Sequence, residues 1–171
     1  MQFVEIYTWI PVWNIYYKVG IDGISVLFIF LATLLSILCV AVSWKAIQIK
    51  IKEFYISLLI IETAMIGIFV SLNLFLFYLF WELTLIPMFL LIGVWGGQNR
   101  VYAAVKFLLF MIAGSVLMLV GIIVLYFAGG NSFDIIELSK KVSVIIPSAL
   151  VPKENNMSMY ITFIFLIVPP I

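Results

Sequence analysis

Ile24–Trp44 is a run of 21 residues without one charged side chain. At ~1.5 Å per residue, about 20 helical residues cross the ~30 Å hydrocarbon core of a bilayer. Three more apolar stretches follow, about 54–72, 74–95 and 103–127. In lipid every backbone N–H and C=O must pair within its own segment, so repeated apolar runs of this length imply helices. Composition agrees: 66% of the 171 residues are hydrophobic, 10% are charged and mean hydropathy is +1.30. Soluble domains carry about 25% charged residues, so an ordinary water-soluble domain is excluded. The expected fold is all-α integral membrane, with four transmembrane helices inside residues 21–127 and a partial fifth.

The flanking pieces are more polar. Residues 1–20 lack the compact apolar core behind a basic start that marks a signal peptide, and read as an interfacial segment on the outer side. Trp9, Trp13, Tyr16, Tyr17, Trp44 and Trp95 suit an interfacial aromatic belt. Asp22 stands just before the first span, where a carboxylate can cap a helix N-terminus. Ser71–Leu72–Asn73 is so short a link that spans two and three should form a tight antiparallel hairpin. Residues 128–156, with Gly129–Gly130–Asn131, Pro147 and Pro152, read as a polar loop holding a short surface helix near Phe133–Lys141. The apolar run 157–171 ends in Pro169–Pro170–Ile171 and is short for a span, a truncated helix.

Basic residues set an orientation. Lys45, Lys50, Lys52 and Arg100 fall in two short connections on one side; Lys18, Lys140, Lys141 and Lys153 fall on the other. The totals tie, but the first group is denser in short loops, so the positive-inside rule places Lys45–Glu53 inside and the N-terminus outside. Net charge is +1, which offers no field for nucleic acid. With no histidine and the single cysteine Cys39, there is no intrachain disulfide, CxxC pair or haem motif, and no phosphate-binding glycine loop is present. The chain by itself does no redox chemistry.

Three ionisable residues fall within or at the edge of spans: Glu62, Glu82 and Lys106. An ionised group at mid-bilayer costs roughly 2.5–3.5 kcal/mol on insertion scales, and it normally faces protein or water along an ion or proton path. Glu62 lies ten residues before Leu72 and Glu82 ten after it, which puts both carboxyls at one depth on adjacent helices. Two carboxyls sharing a low-dielectric site would raise each other's pKa and make a loadable proton site. Bland alternatives stand beside this. Glu82 can be a hydrogen-bonded structural acid, Glu62 can bond to Thr63 or Ser57, and Lys106 can snorkel to the interface. Lys106 opens span four, roughly 10 Å or more from Glu82 along the membrane normal, so a direct ion pair is not expected. Pro87, five residues after Glu82, removes a helix hydrogen bond and is expected to kink span three.

The stretches Val19-Gly20-Ile21-Asp22-Gly23-Ile24-Ser25, Phe77-Tyr78-Leu79-Phe80-Trp81-Glu82-Leu83 through Ile86-Pro87-Met88, Gly93-Val94-Trp95-Gly96-Gly97 and Arg100-Val101-Tyr102-Ala103-Ala104-Val105-Lys106-Phe107 carry a resemblance. They resemble the chain M family of NADH–quinone oxidoreductase (complex I), the mitochondrial subunit 4. The resemblance implies one of three antiporter-like proton-pumping units of a membrane arm, in a bacterial or mitochondrial inner membrane. It implies that Glu82 matches the family's essential glutamate, Lys106 the lysine opening the next helix, and Glu62 a frequent carboxylate position, all serving proton translocation. NADH, FMN, iron–sulfur clusters and quinone would bind other subunits, with no cofactor or metal on this chain. Partners would be the other membrane-arm subunits and the bilayer, not nucleic acid, and the chain would not be a stand-alone monomer. The family's further lysine, before a Val-Pro or Met-Pro step, falls on Ile167 if Val168–Pro169 is that step. The chain therefore reads as a fragment, with a subunit of a multi-subunit cation/proton antiporter and a non-functional membrane remnant as the alternatives.

Overall fold

The computed structural model describes residues 2–128 and 130–139, apart from the side chain of Ala128. Two antiparallel strands, β1 (Gln2–Ile10) and β2 (Ile15–Ile21), are joined by a 3-10 turn at Pro11–Trp13. Four long helices follow: α1 (Gly23–Ala46), α2 (Ile51–Val70), α3 (Leu74–Trp95) and α4 (Arg100–Ala128). All four are long and apolar enough to cross a membrane.

The strands are a finding beyond the sequence reading, which gave residues 1–20 no secondary structure. Phe3, Val4, Ile6, Tyr7, Thr8 and Trp9 are β-branched or aromatic, types that suit a pleated surface. The reversal is made by Pro11 with its fixed φ and by Asn14 in the left-handed region (φ 53°), whose N–H donates to Pro11 O at 3.2 Å. Tyr7 pairs with Tyr17 and Ile6 with Lys18. The hairpin then caps the α2–α3 link. Leu72 N–H donates to Lys18 O at 3.0 Å, and Val19 bridges Ser71. A Cβ on Gly20 would lie 2.6 Å from Leu72 Cδ1, so a larger residue at this crossing would make the Leu72 side chain shift.

That pairing ends α2 two residues earlier than expected. The expected span 54–72 is instead the helix Ile51–Val70, because Ser71 and Leu72 leave the helix to meet the strand. Asn73 caps α3 with its side chain, Oδ1 accepting from Phe75 N–H at 3.0 Å and Leu76 N–H at 3.4 Å. Asp22 differs from the expected cap. It occupies the N-cap position of α1, but only its main-chain oxygen serves, accepting from Val26 N–H at 3.1 Å.

Beyond α4 the chain folds back over the same end. Asn131 (φ 62°) turns it, Leu74 N–H donates to Phe133 O at 2.9 Å and Ile135 N–H to Leu72 O at 3.1 Å. The short helix expected near 133–141 is seen from 135 to 139, and Asp134 Oδ1 caps it by accepting from Ile136 N–H at 2.8 Å. Ile15, Leu74, Met118, Ile122, Phe133 and Leu138 form a buried core here, with the Tyr126 and Phe133 rings stacked 4.3 Å apart. We call this the hairpin end and the opposite one the loop end. The remainder of the expected polar loop and the truncated helix expected at 157–171 lie outside the described residues.

α2 and α3 approach closely through small residues. Ser57, Ala64, Gly67 and Ser71 make one buried stripe on α2, and a Cβ on Gly67 would fall 2.3 Å from the Phe80 ring. Small side chains that let backbones close are the usual means of helix association in lipid. Pro87 sits inside a continuous α3 and is buried. On α1, by contrast, only Ser43 is buried.

Candidate proton site

Glu82 lies on the side of α3 that faces α4. Tyr78, one turn earlier on α3, and Ser115, buried on α4, share its surroundings, and the Tyr78 hydroxyl sits beside both the Glu82 carboxyl and Ser115. Helical spacing explains the first pair, since residues four apart lie on one face. Ser115 Oγ donates to Ile112 O at 3.1 Å, which leaves its lone pairs free to accept. Glu82 Oε1 is buried and has no hydrogen-bond partner among the described residues. Leaving a buried acceptor unpaired costs about 1–3 kcal/mol, more when charged.

Glu62 is at the expected depth but on a different face. Tyr55, Glu62 and Phe69 are seven residues apart and form one stripe of α2. Both ends of that stripe meet α1: Phe69 stacks on Phe28 with centroids 5.2 Å apart, and Ser43 Oγ contacts Tyr55 Oη at 3.4 Å. Glu62 therefore faces α1 at the level of Ser36, on the opposite side of α2 from the Ser57–Ala64–Gly67–Ser71 stripe. With helix axes ~8–10 Å apart and the two acids turned away from each other, the carboxyls are separated by roughly 15–20 Å. The expected two-carboxyl site is not formed, because equal depth on neighbouring helices does not fix rotation about their axes. Nor do the proposed local partners serve Glu62. Thr63 Oγ1 donates to Leu59 O at 2.9 Å, and Ser57 Oγ donates to Glu53 O at 2.8 Å.

Lys106 is exposed. The face of α4 that meets α3 carries Ala104, Ser115, Met118 and Ile122, all buried, and the Ala104 Cβ lies 3.5 Å from where a Gly93 Cβ would be. Two residues past Ala104, Lys106 is turned about 200° from that face. It is also nine residues along α4 from Ser115, which lies at the Glu82 level, roughly 13 Å along the axis. No ion pair joins it to either glutamate among the described residues.

The ion pair that the described residues do contain was not anticipated. Lys18 Nζ of β2 bonds Asp134 Oδ2, both side chains mostly buried, and locks the hairpin to the segment after α4. Its partners are 116 residues apart, and nothing local announces them. Tyr78 did carry a local signal, the four-residue spacing to Glu82. Ser115 lies on the next helix, and no local spacing ties it to Glu82.

Comparisons place this arrangement among known proteins. The family model for the transmembrane region of NADH:quinone oxidoreductase and Mrp antiporters matches residues 71–169, more than half of the chain. NADH-quinone oxidoreductase subunit M of Rhodobacter capsulatus is 51% identical over 138 residues, covering 81% of this chain and 26% of the relative. NADH-ubiquinone oxidoreductase chain 4 of Chondrus crispus is 47% identical over 132 residues, 77% of this chain and 27% of the relative. The chain thus spans about a quarter of the length of these curated relatives. Respiratory complex I of Thermus thermophilus superposes with a TM-score of 0.70 at 25% identity, over 97% of this chain and 32% of that one. The Mrp complex of Dietzia sp. DQ12-45-1b has the same fold over 84% of this chain and 17% of that one, with a TM-score of 0.70 at 18% identity. Four membrane-length helices and a family match over more than half its residues lead to one conclusion: this multi-pass membrane chain belongs to the NADH:quinone oxidoreductase/Mrp antiporter transmembrane family.

Proposed function

We propose that this chain is part of a membrane-arm subunit of a proton-translocating NADH:quinone oxidoreductase, and that Glu82 is its proton-carrying group. The observation that carries the reading is the buried Glu82 Oε1 between α3 and α4, which has no hydrogen-bond partner among the described residues. A carboxyl without a fixed donor can be protonated when neutral and can turn to a new donor or cation when ionised, which is what a loading site requires. The Tyr78 and Ser115 hydroxyls offer it polar neighbours on one side. Glu62 and Lys106 serve the same translocation in this reading, through water rather than by contact, since neither faces Glu82. NADH, FMN, iron–sulfur clusters and quinone belong to other subunits, as the resemblance implies. The hairpin end faces the outer side, by the basic loops at the loop end.

In the assembled complex, Glu82→Gln should abolish proton-coupled quinone reduction while the NADH–ferricyanide reaction of the peripheral part persists. Coupled turnover at the unsubstituted rate would sink the assignment. Glu62→Gln and Lys106→Gln should reduce coupled turnover less. The second reading, a subunit of a multi-subunit cation/proton antiporter, is favoured by the fold shared with the Mrp complex and by a family model common to both. Co-purification with NADH-oxidising redox subunits separates the two: its presence fits the first reading and its absence the second.

A further inference from the structure

The loop end holds a hollow of about 510 Å³ between the α1–α2 and α3–α4 connections. Its lining includes Lys50, Arg100, Gln48 and Trp95 and no acidic side chain. The surrounding loops add Lys45 and Lys52 against the single acid Glu53. Two hydrogen bonds hold the walls in place: the Trp95 indole N–H donates to Ile49 O at 2.8 Å, joining the two connections, and Arg100 Nη1 donates to Val94 O at 2.7 Å. Those bonds also cover main-chain carbonyls that would repel an anion. A guanidinium carries five N–H groups, so Arg100 keeps donors to spare. α2 and α4 both begin here, and Lys50 at the α2 N-cap makes no side-chain cap, so two positive helix ends add to the two cations. Lys50 also holds a left-handed backbone (φ 51°), a conformation asparagine and glycine take with less strain.

We propose that this hollow binds the phosphate of an anionic phospholipid, its oxygens accepting from Lys50 Nζ and the free Arg100 N–H groups. The pocket lies where the helices leave the apolar layer, with Trp95 at headgroup level, so a lipid phosphate reaches it while the acyl chains stay along the helices. A basic pocket between transmembrane helices is the arrangement that recognises such headgroups. The assignment needs only that the helices span a bilayer; it is independent of which side the loop end faces and of Glu82.

The test is native mass spectrometry of the full chain released from detergent, with phosphatidylglycerol, phosphatidylcholine or inorganic phosphate added. Phosphatidylglycerol should be retained at least ten-fold more tightly than phosphatidylcholine. Lys50→Asn together with Arg100→Gln should remove that preference. Lys45→Gln, a cation outside the pocket, should leave it unchanged, and Arg100→Lys should keep most of it although the Val94 bond is lost. Lys50→Asn alone breaks no hydrogen bond and tolerates the backbone, so its loss of lipid reports on charge rather than folding. Equal retention of the two lipids, equal effects of Lys45→Gln and Lys50→Asn, or displacement by inorganic phosphate at the lipid's own concentration would each overturn the proposal, the last by revealing a free-anion site.

Discussion

The hairpin end and the α1 flank of this molecule are built on opposite plans. At the hairpin end, Ile15, Leu72, Leu74, Leu76, Phe133 and Leu138 are all buried, and strand, link, helix and returning segment are tied by main-chain hydrogen bonds and the Lys18–Asp134 pair. Along α1, Leu27 is 69% exposed and Val42 77% exposed, and a single serine is buried. The first region is packed as a water-soluble core is, where removing apolar area from water supplies the drive. The second leaves apolar side chains uncovered, and a bilayer, as apolar as leucine, would give them no reason to pack together.

Substitutions can break this contrast. Ile15→Ala should lower stability most, by about 2–5 kcal/mol, since it opens a cavity in the packed hairpin-end core. Denaturation of the purified chain in mixed detergent micelles measures it, with the hairpin-end tryptophans as reporters. Next is Gly67→Ala, which would force its new methyl into the Phe80 ring and should cost about 1–3 kcal/mol by pushing α2 from α3. Lys18→Met should cost about 1–2 kcal/mol, because Asp134 would be left half-buried without its cation while still capping the short helix. Leu27→Ala, on the lipid-facing side of α1, should change the same midpoint by less than about 0.5 kcal/mol. A Leu27→Ala loss as large as that of Ile15→Ala would show that α1 packs in the purified chain as a core helix does.

How far the sequence announced all this varied with the kind of signal. The helices were legible because uncharged runs of bilayer length have few other solutions, and Asn73 and the three-residue link fixed the α2–α3 hairpin. The strands were not, because Trp9, Trp13, Tyr16 and Tyr17 fit an aromatic belt as well as a pleated surface. The hairpin's anchor on Leu72 and the Lys18–Asp134 pair are contacts between distant segments that no local pattern encodes. Depth of the two acids could be counted from Leu72. Their directions could not, since each residue added to a link turns the next helix by about 100°. The stripes that resolve it, Tyr55–Glu62–Phe69 toward α1 and Ser57–Ala64–Gly67–Ser71 toward α3, are present in the sequence but become meaningful only once the neighbours are known.

The central claim is that Glu82 is a protonatable site independent of Glu62. Infrared spectroscopy of the chain reconstituted in lipid, recording the C=O stretch of protonated carboxyls as pH is raised, tests it without the rest of a complex. A titrating band that disappears in Glu82→Gln and keeps its position and midpoint in Glu62→Gln is the predicted result. A band whose midpoint moves in Glu62→Gln as it would for a coupled pair, or one that survives Glu82→Gln, would contradict the account.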